Sequence, residues 1–179
     1  IPHRTNLDLN AHEECSGKKL QYFDHEDNTS YTPYVVETSI GLDRMFLAVF
    51  SNALVEEELD NNTSRTVLKL PAVLAPIKAA VFPLLKKDGL PEVARQIIED
   101  LKWDFNVFYD EKDAVGKRYR RQDAAGTPFC ITVDHETLEN NTVTIRHRDT
   151  MKQQRVNISE LKAIINQEVD AKNWLTTMQ

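Results

Sequence analysis

The sequence predicts an α/β protein in two parts, and three observations carry that prediction. After Val67, short runs of β-branched and aromatic residues alternate with stretches of helical periodicity, the pattern of a mixed sheet covered by helices. Before it, Tyr34 to Phe50 reads as one strand, a glycine turn and a helix. Between them, residues 56–66 are polar and acidic, break both patterns and set the expected boundary, giving domains 1–66 and 67–179.

Charge is unevenly spread. The net charge of −6 divides into −7 over residues 1–66 and +1 over residues 67–179. The basic residues of the second part are clustered, which permits local contact with nucleic acid without a globally basic protein. No apolar run approaches the roughly 20 residues of a membrane span. The chain opens Ile1-Pro2-His3-Arg4, with neither an initiator methionine nor an export signal, so a fragment or processed chain in the cytoplasm is expected. Cys15 and Cys130 belong to no Cys-x-x-Cys pair, so neither a metal site nor a disulfide is expected. His3 and His12 lack ligand-like spacing and read as ordinary polar positions.

In chain order, residues 10–33 are polar and turn-rich, with a short strand at Leu20–Phe23 and an exposed turn from His25 to Ser30. Tyr34, Val35 and Val36 are β-formers and predict a buried strand. In the helix that follows, Phe46, Leu47, Phe50 and Leu54 recur at helical spacing and predict a buried face. Glu56, Glu57 and Glu58 read as a solvated helix end, since three successive residues do not converge on one ion. Val67–Pro71 and Ala79–Pro83 read as a strand pair or a broken strand, limited by Pro71, Pro76 and Pro83. Leu90–Leu101 is a helix with Pro91 in its first turn and Val93, Ile97, Ile98 and Leu101 on its apolar face. Asn106–Tyr109 is a strand, and Ala114–Ala125 a helix stopped by Gly126. Pro128–Val133 and Thr142–Arg148 are strands around an Asn140-Asn141 turn. Ser159–Val169 is the last helix, with Ser159 as candidate N-cap.

Two stretches carry chemistry. In an extended strand, Glu37, Ser39 and Gly41 share one face: an anion, a hydroxyl and no side chain, where backbone and ligand come close. Arg44 stands where the chain turns helical, and its planar guanidinium suits a phosphate or a flat base. The same residues would also fit a buried ion pair or a cap. In the second part, Lys117, Arg118, Arg120 and Arg121 crowd one short helical segment around Tyr119, and Arg146 and Arg148 lie on the same face of a later strand. Phosphates attract such charges, and aromatic and guanidinium planes stack on unpaired bases. Pairing with Glu111, Asp123 or Asp149 is the structural alternative.

The stretch Glu37-Thr-Ser-Ile-Gly-Leu-Asp-Arg44 resembles motif 3 of the class II aminoacyl-tRNA synthetases, in the form found in dimeric glycyl-tRNA synthetases. Ile1 to Leu9, Gly116 to Asp134 and Thr142 to Arg155 also resemble that family, so nearly the whole chain is covered. Pro2 and Asn6 depart from the family's alanine and aspartate, and Thr38 stands where many members have proline. The resemblance implies the end of an antiparallel-sheet catalytic domain followed by a mixed-sheet anticodon-binding domain. It implies glycine at Glu37, Thr38, Ser39, Ile40 and Gly41, and ATP, as its magnesium complex, at Gly41, Leu42, Asp43 and Arg44. It further implies tRNA(Gly) as partner, no prosthetic group and a homodimer at full length. Motifs 1 and 2 are absent from these residues, so this chain alone is expected to activate little glycine. A non-catalytic nucleic-acid-binding accessory protein on the same fold is the alternative.

Overall fold

The computed structural model describes residues 3–59 and 63–176. Part of the acidic stretch expected as a boundary and the first two residues of the opening segment lie outside them. The chain divides into two compact units, Ile1–Leu47 and Ala48–Gln179.

The first unit holds helix α1 (Leu7–Ser16) and a hairpin of β1 (Tyr22–Asp24) and β2 (Thr29–Tyr31). Arg4 N–H donates to Val35 O at 3.0 Å and Val35 N–H to Thr5 O at 2.8 Å, around an isolated bridge between His3 and Val36. That bridge is all the pairing the expected strand receives, and Tyr34 and Val36 are exposed rather than buried. A strand is buried when neighbours flank it and a layer covers it; among the described residues only the segment around His3 pairs with this one.

Helix α2 (Leu42–Ala53) begins at the expected place and carries the expected apolar stripe, but Phe46, Leu47, Phe50 and the following Leu54 are exposed, not buried. The three glutamates do not end a helix. They belong to β3 (Leu54–Leu59), which pairs antiparallel with β4 (Thr63–Leu68) and sets Glu57 opposite Arg65. Val67 and Leu68 therefore pair within this hairpin and not with the strand at Ala79.

The second unit is built on a five-stranded mixed sheet with strands β5 (Ala79–Pro83), β6 (Val107–Tyr109), β7 (Phe129–Val133), β8 (Thr142–His147) and β9 (Gln153–Asn157). Their order is β6-β5-β7-β8-β9; β5 runs parallel to β6 and β7, and β8 antiparallel to both its neighbours. Alternation then sorts the side chains. Ala79, Val81, Phe129, Ile131, Val143 and Ile145 pack with helices α3 (Leu90–Leu101) and α6 (Leu161–Val169) into the main core. Ala80, Phe82 and Cys130 point the other way and meet Val115 and Tyr119 of helix α4 (Val115–Ala125). Burial pushes the Cys130 thiol up to about 12.

Helix α3 has Pro91 in its first turn, and Leu90, Ala94, Ile97 and Leu101 form its buried edge. Helix α4 stops at Gly126, whose φ of 81° is left-handed and whose added Cβ would come within 3.1 Å of Leu68 O. Only glycine tolerates both conditions. A further short helix, α5 (His135–Asn140), replaces the expected simple turn before β8; Asp134 and Thr137 form its capping box, and Asn141 ends it at φ 55°. The cap before α6 is Asn157, one element earlier than the expected Ser159: Asn157 accepts from Ser159 N–H, and Glu160 accepts from Asn157 N–H. Helix α7 (Ala171–Thr176) follows. No described helix is long and apolar enough to cross a membrane.

Candidate functional site

The stretch from Glu37 to Arg44 forms the exposed approach to α2. Residues 37–41 are exposed and lie outside regular strand, so strand alternation does not fix their facing. Glu37 lies 3.9 Å from Arg4 Nη1, and Arg4 is held mainly by Asp8, at 2.6 Å. Gly41 has no left-handed φ here; its carbonyl accepts from Met45 N–H at 3.0 Å and so opens the helix. An added Cβ would meet only the Arg44 stem, at 3.7 Å. The expected need for glycine's conformational freedom is therefore not what this turn shows. Arg44 is exposed, and so are the Glu37 carboxylate and the Ser39 hydroxyl.

The six basic residues of the second part separate into two groups. Arg118, Arg146 and Arg148 are buried. Arg118 Nη1 donates to Pro83 O and Nη2 to Asp113 O at 2.7 Å, with longer bonds to the carbonyls of Glu111 and Lys112. Arg146 makes a fork with both oxygens of Asp123, at 2.8 and 3.0 Å, and its guanidinium lies 4.8 Å from the Tyr119 ring centroid. Arg148 donates to Gly126 O and Leu70 O, each at 2.8 Å, and to both oxygens of Asp149. Burial works to raise the Asp149 carboxyl, but the Arg148 guanidinium outweighs it and holds the group below the usual range. These three arginines, expected to reach RNA, are instead turned inward, because the carbonyls of Pro83, Asp113, Gly126 and Leu70 and a fully buried carboxylate need donors.

Arg121, Lys117 and Arg120 are exposed. Arg121 is tied to Asp110 at 2.7 Å and to Asp113 at 2.9 Å. Lys117 and Arg120 stand three apart on α4, on one helical face, and make no hydrogen bond or ion pair among the described residues. They are the cations of this helix left open to an outside anion.

A buried residue outside the sequence-based set completes the network. Arg65 of β4 donates to Asp123 Oδ2 and to Arg148 O, both at 2.9 Å, and to Glu57 Oε2 at 2.7 Å. Its contacts fasten the β3–β4 hairpin to α4. The bond from Lys69 first, against the opposing effect of burial, and then Arg65 hold the Glu57 carboxyl below its ordinary range.

On the other face of the sheet a cavity of about 540 Å³ opens between β7, β8, β9 and α6. Phe129, Ile145 and Ile164 supply its apolar wall, and Gln153, Gln154 and Lys152 lie at its polar side. His147 Nε2 meets Glu168 Oε2 at 3.0 Å, a contact that raises the imidazole above its ordinary value. None of these residues stood out individually in the sequence. The only signal is that His147 follows Ile145 at the two-residue period of one strand face.

The anticodon-binding-domain family matches residues 78–168. Among individual proteins, the chain is 52% identical over 160 residues to glycine–tRNA ligase of Chlorobaculum tepidum, covering 89% of this chain and 34% of that protein. It is likewise 52% identical over 170 residues to glycine–tRNA ligase of Clostridium tetani, covering 95% of this chain and 36% of that protein. The chain thus spans about a third of the length of these relatives. Among solved structures, prolyl-tRNA synthetase of Cryptosporidium parvum, complexed with halofuginone and AMPPNP, aligns with a TM-score of 0.53 at 16% identity, covering 69% of this chain and 32% of that one. The RNA-binding domain of threonyl-tRNA synthetase from the same organism aligns at 0.51 and 22% identity, covering 56% and 25%. At such identities these two show the fold alone.

Proposed function

The chain belongs to the anticodon-binding-domain family, and from that premise we propose that it is the C-terminal, tRNA-binding part of a glycine–tRNA ligase. One observation carries the reading. The identity to glycine–tRNA ligases extends over nearly the whole chain, well beyond the residues of the anticodon-binding family. The division at residues 66 and 67 is retained in this proposal as the boundary between catalytic and anticodon-binding parts.

In the parent reaction the glycine carboxylate attacks the α-phosphate of ATP and pyrophosphate leaves; a tRNA hydroxyl then takes the glycyl group from the adenylate, and AMP leaves. Such sites act chiefly by positioning and by stabilising developing charge. Glu37 is the residue for the glycine ammonium, Ser39 offers a hydrogen bond, and Thr38, Ile40 and Gly41 complete that wall. Gly41, Leu42, Asp43 and Arg44 face ATP and its magnesium, with Arg44 against the nucleotide. The exposed apolar stripe of α2 fits this reading, since a further part of the enzyme would cover it. Lys117 and Arg120 are the cations for tRNA phosphates, and Arg121 joins them from its paired position. The whole enzyme is proposed as a cytoplasmic homodimer. A non-catalytic accessory protein would have no use for the acid, the hydroxyl and the arginine together at residues 37, 39 and 44.

Amino-acid-dependent exchange of pyrophosphate into ATP tests the proposal. This chain alone is expected to show none above background. A protein extended to the relatives' length is expected to exchange with glycine and to lose that exchange on Glu37→Ala. Equal stimulation by serine or threonine, or full exchange by this chain alone, contradicts the reading.

A further inference from the structure

The β3–β4 hairpin precedes the stretch that matches the anticodon-binding family, yet Arg65 fastens it to α4 through Asp123. Between β4 and α4 the surface sinks into a groove of about 390 Å³, lined by Ser64, Arg65, Thr66, Arg120, Arg121 and Ala124. On α4, Arg120, Arg121 and Ala124 share one face with Lys117, at the spacing of successive helical turns. Ser64 and Thr66 stand two apart on β4, so they share one strand face, and both are exposed. Ser64 Oγ donates to Glu56 Oε1 at 3.0 Å and keeps its lone pairs free to accept. The Thr66 hydroxyl makes no hydrogen bond among the described residues.

We propose that this groove seats one ribose-phosphate unit of the bound RNA's backbone, a contact that rests on the tRNA-binding reading above. The two walls ask for different chemistry. The α4 wall offers the Arg120 guanidinium, with Lys117 one turn before it and Arg121 already tied to Asp110 and Asp113. The β4 wall offers two hydroxyls, and the hairpin register sets Glu56 opposite Thr66 and Glu58 opposite Ser64. A free phosphate would suit the first wall and meet two carboxylates beside the second. A ribose-phosphate suits both: the phosphate lies on Arg120, and the sugar 2′-hydroxyl, donor and acceptor at once, meets the Ser64 and Thr66 oxygens. Arg65 is not a ligand here, because Asp123, Glu57 and Arg148 O take up its guanidinium; it holds β4 against α4 and so sets the width of the groove.

Such a contact recognises the sugar and not the base, so it tells RNA from DNA without reading sequence. Its two halves leave different signatures. Only the neutralised phosphate releases counterions and steepens the salt dependence, whereas the hydroxyl contact is insensitive to salt.

The test measures binding of the full 179-residue chain to a glycine-accepting tRNA assembled from synthetic strands, with 2′-O-methyl riboses placed in one arm at a time. The methyl group removes the hydroxyl donor and leaves the A-form helix intact. Methylation of one arm should weaken binding by the parent chain about five-fold. The same methylation should change nothing for Ser64→Ala/Thr66→Val, which has already lost that contact. Thr66→Val alone, which keeps the shape of an exposed strand residue, should lose part of the sensitivity. Arg120→Ala should lower the salt slope by about one. A parent chain indifferent to methylation in every arm overturns the proposal. So does a double variant as sensitive as the parent, and so does an unchanged slope in Arg120→Ala, which would take the phosphate out of the groove. Failure of the unaltered chain to bind the unmodified tRNA at any salt overturns the tRNA-binding reading itself, and the groove contact falls with it.

Discussion

Replacing Asp123 with alanine is expected to lower the stability of the unit Ala48–Gln179 by about 3–5 kcal/mol. Asp123 is fully buried and receives Arg146 at 2.8 and 3.0 Å and Arg65 at 2.9 Å. Without its carboxylate, two buried guanidiniums repel each other and leave N–H donors without acceptors. Arg65 keeps Glu57 and Arg148 O, whereas Arg146 is left against the Tyr119 face. The midpoint of thermal unfolding should fall by on the order of 10 °C. Asp123→Asn, which keeps the shape and one acceptor, should fall between alanine and the parent. The β3–β4 hairpin should loosen first, since Arg65 is its buried anchor, and amide exchange would show that order. An alanine variant melting within a degree of the parent would refute the buried network as a source of stability.

Arg118→Ala is the second large effect, and it separates two roles that look identical in the sequence. The side chain is buried and serves the carbonyls of Pro83, Glu111, Lys112 and Asp113, gathering the ends of β5 and β6 under the start of α4. Each buried carbonyl left unpaired costs about 1–3 kcal/mol. Lysine cannot replace the planar fork, so Arg118→Lys should recover little. The variant should unfold at lower denaturant, while the fraction still folded binds tRNA with an unchanged salt slope. A variant of parental stability with a reduced slope would place Arg118 in the RNA contact after all.

These outcomes mark where the sequence was legible. Helix α3 was, because Pro91 opens it and Ile97 and Leu101 keep the helical period. So was the end of α4, where Gly126 must be left-handed. The mixed sheet followed from strands of β-branched residues set between helices. Other elements left little trace. Helix α1 buries no residue, so no apolar period announces it. Strand β9 is a polar edge, and α5 has only its capping box. The hairpin was hidden because alternating burial of Glu57 and Leu59 against their neighbours looks, in sequence, like a solvated acidic run.

At the sites, residue type told which positions carry charge but not which way they face. Arg118 and Gln122 stand four apart and both point inward on a helix without a continuous apolar stripe. Lys117 and Arg120 differ from Arg118 only by rotation around the same axis. Burial of Arg118, Arg146 and Arg148 is decided by acceptors contributed from distant segments, Pro83, Asp123, Gly126 and Leu70 among them. The exposure of α2's apolar stripe was equally illegible, since periodicity states that a face is apolar but not what lies against it.

This chain is proposed to bind tRNA through its anticodon, as the tRNA-binding part of a glycine–tRNA ligase. The direct measurement is competition binding of the chain between a glycine-accepting tRNA and the same tRNA with its three anticodon bases exchanged. The account predicts that the exchanged tRNA binds at least several-fold more weakly, each wrong base costing about 1–3 kcal/mol where it is read, with the salt slope preserved. Equal affinity for the two molecules would contradict it.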